Sequence, residues 1–244
     1  MKLFLLPLLL LALHIFFPIV QSHAGFFDDL AKGVEKYNAP GMGLDDSTIT
    51  KGLKEALATG TSRAVSTVSQ PGGYLNNEMI KILMPEKIRS VANIMGKFGF
   101  QQEVDNFVLS MNRAAEKAAP KAKEHFVSAL KEMNFEDAQG ILAGGNNSAT
   151  EYFRKKTGDN IYASFKPVVT TYMEDAGVVQ NYSRMMDRFK SIPFSGSVGS
   201  LDLDHYVTTE AMNGLFSMIA TEENKIRTDP AARGTQLLQK VFGR

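Results

Sequence analysis

From residue 44 to the end of the chain, apolar residues recur at spacings of three and four, and glycine or proline clusters interrupt them at intervals. That period is the period of one helix face, and a chain that keeps it throughout is committed to packing helices on helices. The clearest run is Val104, Phe107, Val108, Met111, Ala115 and Ala118. No alternating stretch of useful length supports a strand, and the strict repeats of solenoids are absent. The expectation is an all-α fold: one compact domain of about eight to ten helices.

The breakers divide the chain. Asp45, Asp46 and Ser47 offer N-caps for a helix running towards Val68, expected to be irregular around Gly60. Gln70-Pro71-Gly72-Gly73 ends it, and Leu75–Leu83 reads as a short helical turn broken at Pro85. The next helix carries Ile88, Val91, Ala92, Met95 and Phe98. Ala119-Pro120 reads as a tight corner between two antiparallel helices. Ala114, Ala115, Ala118, Ala119 and Ala122 would let them approach closely. Phe135–Leu142 is short and closed by Gly144-Gly145. Ser148 with Glu151 makes a capping box for a helix that Pro167 kinks or restarts. A stripe from Val178 to Phe189 follows, and residues 193–200 read as a flexible loop. Asp202 or Asp204 then caps a long helix through Arg227, and Thr235–Phe242 forms a final amphipathic helix.

The start is different. Met1-Lys2, an apolar run from Leu3 to Val20, and Ser22 and Ala24 before Gly25 have the order of a secretory signal peptide spanning 1–24. An uncleaved inner-membrane anchor is the alternative, since the apolar run approaches a spanning length. Residues 25–43 read as an amphipathic segment (Phe26, Phe27, Leu30, Val34, Tyr37) and a linker, followed by the helical domain at 44–244. The segment suits either folding back on the body or lying on a membrane surface.

Composition then narrows function. Of 27 Lys and Arg against 26 Asp and Glu, Lys2 lies in the signal, which leaves 26 of each. Such a chain has no general pull towards nucleic acid. The chain has no cysteine, hence no disulfide, thiol nucleophile or thiolate metal site, and no tryptophan for sugar stacking. With His14 and His23 in the signal, only His125 and His205 remain for any triad, general base or metal site. No P-loop, G-x-G-x-x-G, G-x-S-x-G or H-E-x-x-H motif occurs.

The candidate chemistry is correspondingly thin. Asp202 and His205 lie one turn apart, as a metal pair can, although capping explains the aspartate equally well. Asp204, His205, Glu210, Glu222, Glu223 and Arg227 share the last long helix and are the catalytic candidates. Glu223 borders the apolar face, where its pKa can rise; a structural ion pair with Arg227, four residues on, is the simpler reading. Asn112 and Arg113, beside Glu116, are the ligand-binding candidates, with an interhelical bridge as the plainer alternative. Arg154-Lys155-Lys156 reads as solvated surface. No metal and no cofactor is expected. Twelve methionines and sixteen phenylalanines suit a deformable core or an apolar cavity.

The stretches GLKEALATG (52–60), YLNNEMIKILMP (74–85), MNRAAEKAAPKAKEHF (111–126), FEDAQGILAGGNNSATEYFRKKT (135–157), FKPVV (165–169), DLDHYVTTEAMNGLF (202–216) and IATEENKIRTDPAARGTQLLQKVFG (219–243) give a further lead. In order and wording the chain resembles a family of exported bacterial proteins called domain of unknown function 4197. The resemblance spans about 44–244. It implies a bacterial source and an envelope location, and no activity, ligand or catalytic residue. The expectation is a non-enzymatic periplasmic binding or scaffolding protein, with an apolar small molecule or an envelope protein as partner, no nucleic acid, and no transmembrane segment after cleavage. The alternative is a hydrolase-like or metal-dependent enzyme using the acids and His205 of the last long helix.

Overall fold

Asp45 opens the first helix by accepting a hydrogen bond from the backbone N–H of Thr48 at 2.7 Å. The computed structural model describes residues 45–190, 201–229 and Ala232. The helices are α1 (Asp46–Val68), α2 (Glu86–Lys97), α3 (Gln101–Ala118), α4 (Ala122–Glu132), α5 (Phe135–Ala143), α6 (Ser148–Asp175), α7 (Val178–Lys190) and α8 (Leu203–Thr228), with a three-residue 3-10 turn at Ala119–Lys121. No strand occurs among the described residues. The segment and linker at 25–43, the loop at 194–200 and the helix at 235–242 lie outside them.

Three long helices make the centre. α6 and α8 pack on each other, and α1 packs on α8. α1 is buried nearly all round, from Gly52 and Leu53 to Val65 and Val68. It runs without interruption through Gly60, against the irregularity expected there. A Cβ at Gly60 would stand 3.3 Å from Ile226 Cδ1, so the glycine lets α8 come close. The Thr61 hydroxyl returns to Leu57 O at 2.7 Å and stays within the helix. A seam void bounded by Leu53, Ala56, Ile141 and Ile226 has a volume of about 10 Å³, the lower limit for a single water.

The alanine corner is not an antiparallel hairpin. Ala119, Lys121 and Ala122 all keep right-handed helical backbone, so the chain bends at Pro120 without reversing. α3 and α4 both pack chiefly on α6. The five alanines are fully buried as expected, but against the central helices. Phe126, Phe153 and Phe216 join α4, α6 and α8 through edge-on rings with centroids 5.2 and 6.2 Å apart. α6 passes through Pro167 as one helix.

Leu75–Leu83 is not helical. The chain makes turns to Ile80 and then runs without regular secondary structure from Lys81 to Pro85. Side chains from α3 satisfy the strap's backbone and remove the need for a helical ladder. Glu116 Oε1 accepts from the N–H groups of Gly72, Tyr74 and Leu75 at 3.0, 3.2 and 3.4 Å. Gly72, at φ +90°, supplies the left-handed turn that aims these donors at one oxygen. Tyr74 is wholly buried, and its hydroxyl donates to Ala211 O at 2.6 Å. It reaches across α8 because a Cβ at Gly214 would lie 2.6 Å from its ring.

Burial, and then the Glu116 charge, push the Tyr74 hydroxyl well above its ordinary value of 10. Burial pushes Tyr152 up to about 12, with Asp137 and Glu132 adding to it. A raised tyrosine pKa means that only the unfolded chain ionises just above pH 10. The stability linked to it is therefore complete below pH 10 and lost as pH rises beyond that value. Unfolding free energy measured in urea should decline above pH 10, by about 1.4 kcal/mol per pH unit for Tyr74 alone. Tyr74→Phe should show a shallower decline; the same slope in both proteins would refute this origin.

Candidate functional site

An open groove of about 880 Å³ lies on the described surface. One wall is the strap at 75–84, and the others are the middle of α2 and the first half of α3. Asn112, fully buried on α3, holds the strap from beneath. Its Oδ1 accepts from Ile82 N at 2.9 Å, and its Nδ2 donates to Ile82 O at 2.9 Å and Val108 O at 2.8 Å. A carboxamide offers one acceptor and two donors, so this side chain pairs with Ile82 as a neighbouring strand would. Tyr206 of α8 donates to Leu83 O at 3.0 Å and fixes the next residue. The wall is thus held by α3 and α8 together.

Leu83 is 55% exposed on the strap and Leu109 is 37% exposed on α3, and both line the groove. Met79, 75% exposed, stands on the same strap. Asn76, Asn93, Gln102 and Asn106 contribute amides, and Glu78, Asp105, Lys81 and Arg89 contribute balanced charge. The periodicity of α3 placed Val104 and Val108 on an apolar face, but only the strap's position turns that edge into a groove.

The sequence candidates separate into three places. At the start of α8, Asp202 is the N-cap and accepts from His205 N at 2.9 Å. Asp204 accepts from the Thr170 hydroxyl at 2.7 Å, and His205 Nδ1 lies 2.8 Å from the Tyr162 hydroxyl. His205 and Glu210 line a shallow cleft of about 260 Å³ with Lys87, Tyr206 and Thr209. Glu222, Glu223 and Arg227 sit at the other end of the helix. Nineteen residues separate Asp204 from Glu223, about 28 Å along an α-helix. Asn112 and Arg113 lie under the strap, Arg113 pairing with Glu116. No common pocket collects the set.

Glu223 is structural. It is 5% exposed and accepts from Ala149 N and Thr150 N at 2.9 Å and from the Thr150 hydroxyl at 2.8 Å. Arg227 donates to it from Nε and Nη2 at 3.0 and 2.9 Å, and Nη2 also donates to Ile141 O at 2.9 Å. The α6 N-terminus is therefore capped from α8, 74 residues away. The expected Ser148–Glu151 capping box does not form: the helix starts one residue earlier, with Asn147 as N-cap and Glu151 N donating to Asn147 O at 2.9 Å, and the Ser148 hydroxyl turns back to Gly145 O. A capping box does form at α5, between Asn134 and Asp137. Glu222 pairs with Lys225 at 2.6 Å.

Sequence reasoning missed the pairing of His125 Nε2 with the Ser164 hydroxyl at 2.8 Å, which ties α4 to α6 as His205–Tyr162 ties α8 to α6. No spacing signal points to it, since 39 residues intervene. Neither histidine ring is hydrogen-bonded to a carboxylate among the described residues. No group of three His, Asp or Glu suited to a metal occurs among them either.

Fold and contacts together define an all-helical single domain whose buried acids and amide brace its own backbone and which carries an open surface groove. The family described as Protein of unknown function (DUF4197) matches residues 43–243, and the chain belongs to it. No curated protein and no solved structure matches the chain. No described helix is long and apolar enough to cross a membrane.

Proposed function

We propose that this is an exported protein of the bacterial periplasm that works by binding rather than by catalysis, with the groove between strap, α2 and α3 as its contact surface. The observation that carries the reading is a braced groove whose walls leave Leu83 and Leu109 open to solvent. Exposed aliphatic groups flanking a rigid concavity mark contact surfaces. Export rests on the charge, apolar run and Ser22-x-Ala24 ending of residues 1–24. The apolar-ligand form of this reading belongs to the open groove, because the seam between α1, α5, α6 and α8 holds only about 10 Å³. The dispersal of Asp204, His205, Glu210, Glu222, Glu223 and Arg227 speaks for binding over the enzyme alternative.

A photo-crosslinking amino acid at Leu109, compared with one at exposed Lys156, tests this in intact host cells. A discrete adduct at Leu109 alone is expected, on a protein whose mature mass begins at Gly25. Equal labelling at both positions, or none at either, would remove the groove as the contact surface. A protein that retains residues 1–24 would favour the anchored alternative.

A further inference from the structure

We infer that the occupant of the groove is an extended polypeptide segment carrying aliphatic side chains and little net charge. This rests on the binding reading above and names its partner.

The lining selects by chemistry. Glu78 and Asp105 line the groove with Lys81 and Arg89, two acids and two bases. That balance complements a neutral occupant and gives no field to concentrate a polyanion or an anionic lipid surface. Among the described residues no aromatic side chain lines the groove, so none of them offers a sugar ring or nucleobase a stacking platform.

Carboxamides are present instead. Asn93 on α2 carries both a donor and an acceptor, the pairing a peptide group requires, and Asn106 on α3, whose Oδ1 accepts from Gln102 Nε2 at 3.0 Å, adds an amide donor. The exposed Leu83 on the strap and Leu109 on α3 supply aliphatic contact. A small ligand is held by burying most of its surface in a cleft. This groove is open along its length and suits a longer chain that is buried on one side only. The strap is already braced from both sides at Ile82 and Leu83, so the wall needs no rearrangement to receive a partner.

The test is selection of random dodecapeptides by display on the full mature chain, followed by fluorescence anisotropy of the selected peptides. The expected peptides are rich in Leu, Ile, Val or Met and near neutral. They should weaken roughly tenfold or more with Leu109→Glu and with Leu83→Glu, the loss of one well-placed apolar contact. They should bind Lys156→Glu as they bind the wild type. Both leucines are solvent-exposed, and circular dichroism checks each variant; Leu83→Ser and Leu109→Ser replace any glutamate variant that does not fold. No enrichment, strongly charged winners, or winners indifferent to both leucine positions would overturn the inference. Vesicles of phosphatidylethanolamine and phosphatidylglycerol, tested alongside, should not compete. If they do, or if the Leu109 crosslink carries a lipid or glycan mass, the polypeptide assignment fails while the binding role of the groove stands. Absence of any Leu109-specific adduct in cells removes the binding reading itself.

Discussion

Glu223→Ala should destabilise the protein by about 3–5 kcal/mol, the usual consequence of removing one member of a buried, hydrogen-bonded ion pair. On a chain of this size that corresponds to a fall in Tm of roughly 10 °C. The magnitude follows from what one carboxylate does. It satisfies two N–H groups and a hydroxyl at the start of α6, and it faces the Arg227 guanidinium. Without it, the α6 terminus has buried donors with no acceptor, and Arg227 loses a charge partner in a site where its side chain is 14% exposed. Glu223→Gln should fall between, since the amide oxygen still accepts but the charge is gone. The double variant Glu223→Leu with Arg227→Met should recover only the part of the loss that comes from the unpaired Arg227 charge, because the α6 donors stay without an acceptor. Urea unfolding of the four proteins decides the matter. A single variant within about 1 kcal/mol of wild type would show that the cap contributes little.

Asn112→Ala should cost about 3 kcal/mol and act on one place. Ile82 would keep its buried N–H and C=O without the partner that now satisfies both, and each unsatisfied group costs roughly 1–3 kcal/mol. Lifting the strap into water relieves part of this, so the variant should loosen locally before it unfolds globally. Hydrogen exchange at Ile82 and Leu83 should accelerate far more than exchange in α6, and limited proteolysis should appear near 79–84. Because the strap is one wall of the groove, ligand contact at Leu83 should weaken with it. Unchanged exchange at Ile82 would mean that Tyr206 alone holds the strap.

Both residues were visible in the sequence, and neither role was. Asn112 stood out as polar beside an alanine seam, and Glu223 as an acid bordering an apolar face. The simpler reading of Glu223, an ion pair with Arg227, could be made because i and i+4 meet on every helix. The rest of its contacts could not, since α6 begins 74 residues earlier in the chain. Ser148-x-x-Glu151 has the pattern of a capping box, yet the N-cap is Asn147, whose carbonyl takes the Glu151 N–H, and the N–H groups of Ala149 and Thr150 go to a carboxylate arriving from α8. The Ala119-Pro120 corner failed for a related reason. Local breakers say that a helix ends, while packing on α6 decides the direction in which the chain continues.

What the sequence by itself determined is everything carried by spacing within a turn or two. That includes the all-helical class, the caps at Asp45 and Asp202, and the burial of Val104, Phe107, Met111 and the alanines. These follow from helix period and from backbone donors that only a nearby side chain can reach. Only the tertiary structure decided that Leu75–Leu83 is a non-helical strap, that the last-helix candidates fall at opposite ends, and that a groove opens beside Leu83 and Leu109. Each depends on hydrogen bonds or packing between residues tens of positions apart, such as Glu116 with Gly72, Asn112 with Ile82 and Tyr206 with Leu83. No local pattern encodes such a pairing, because the helices must pack before the partners meet.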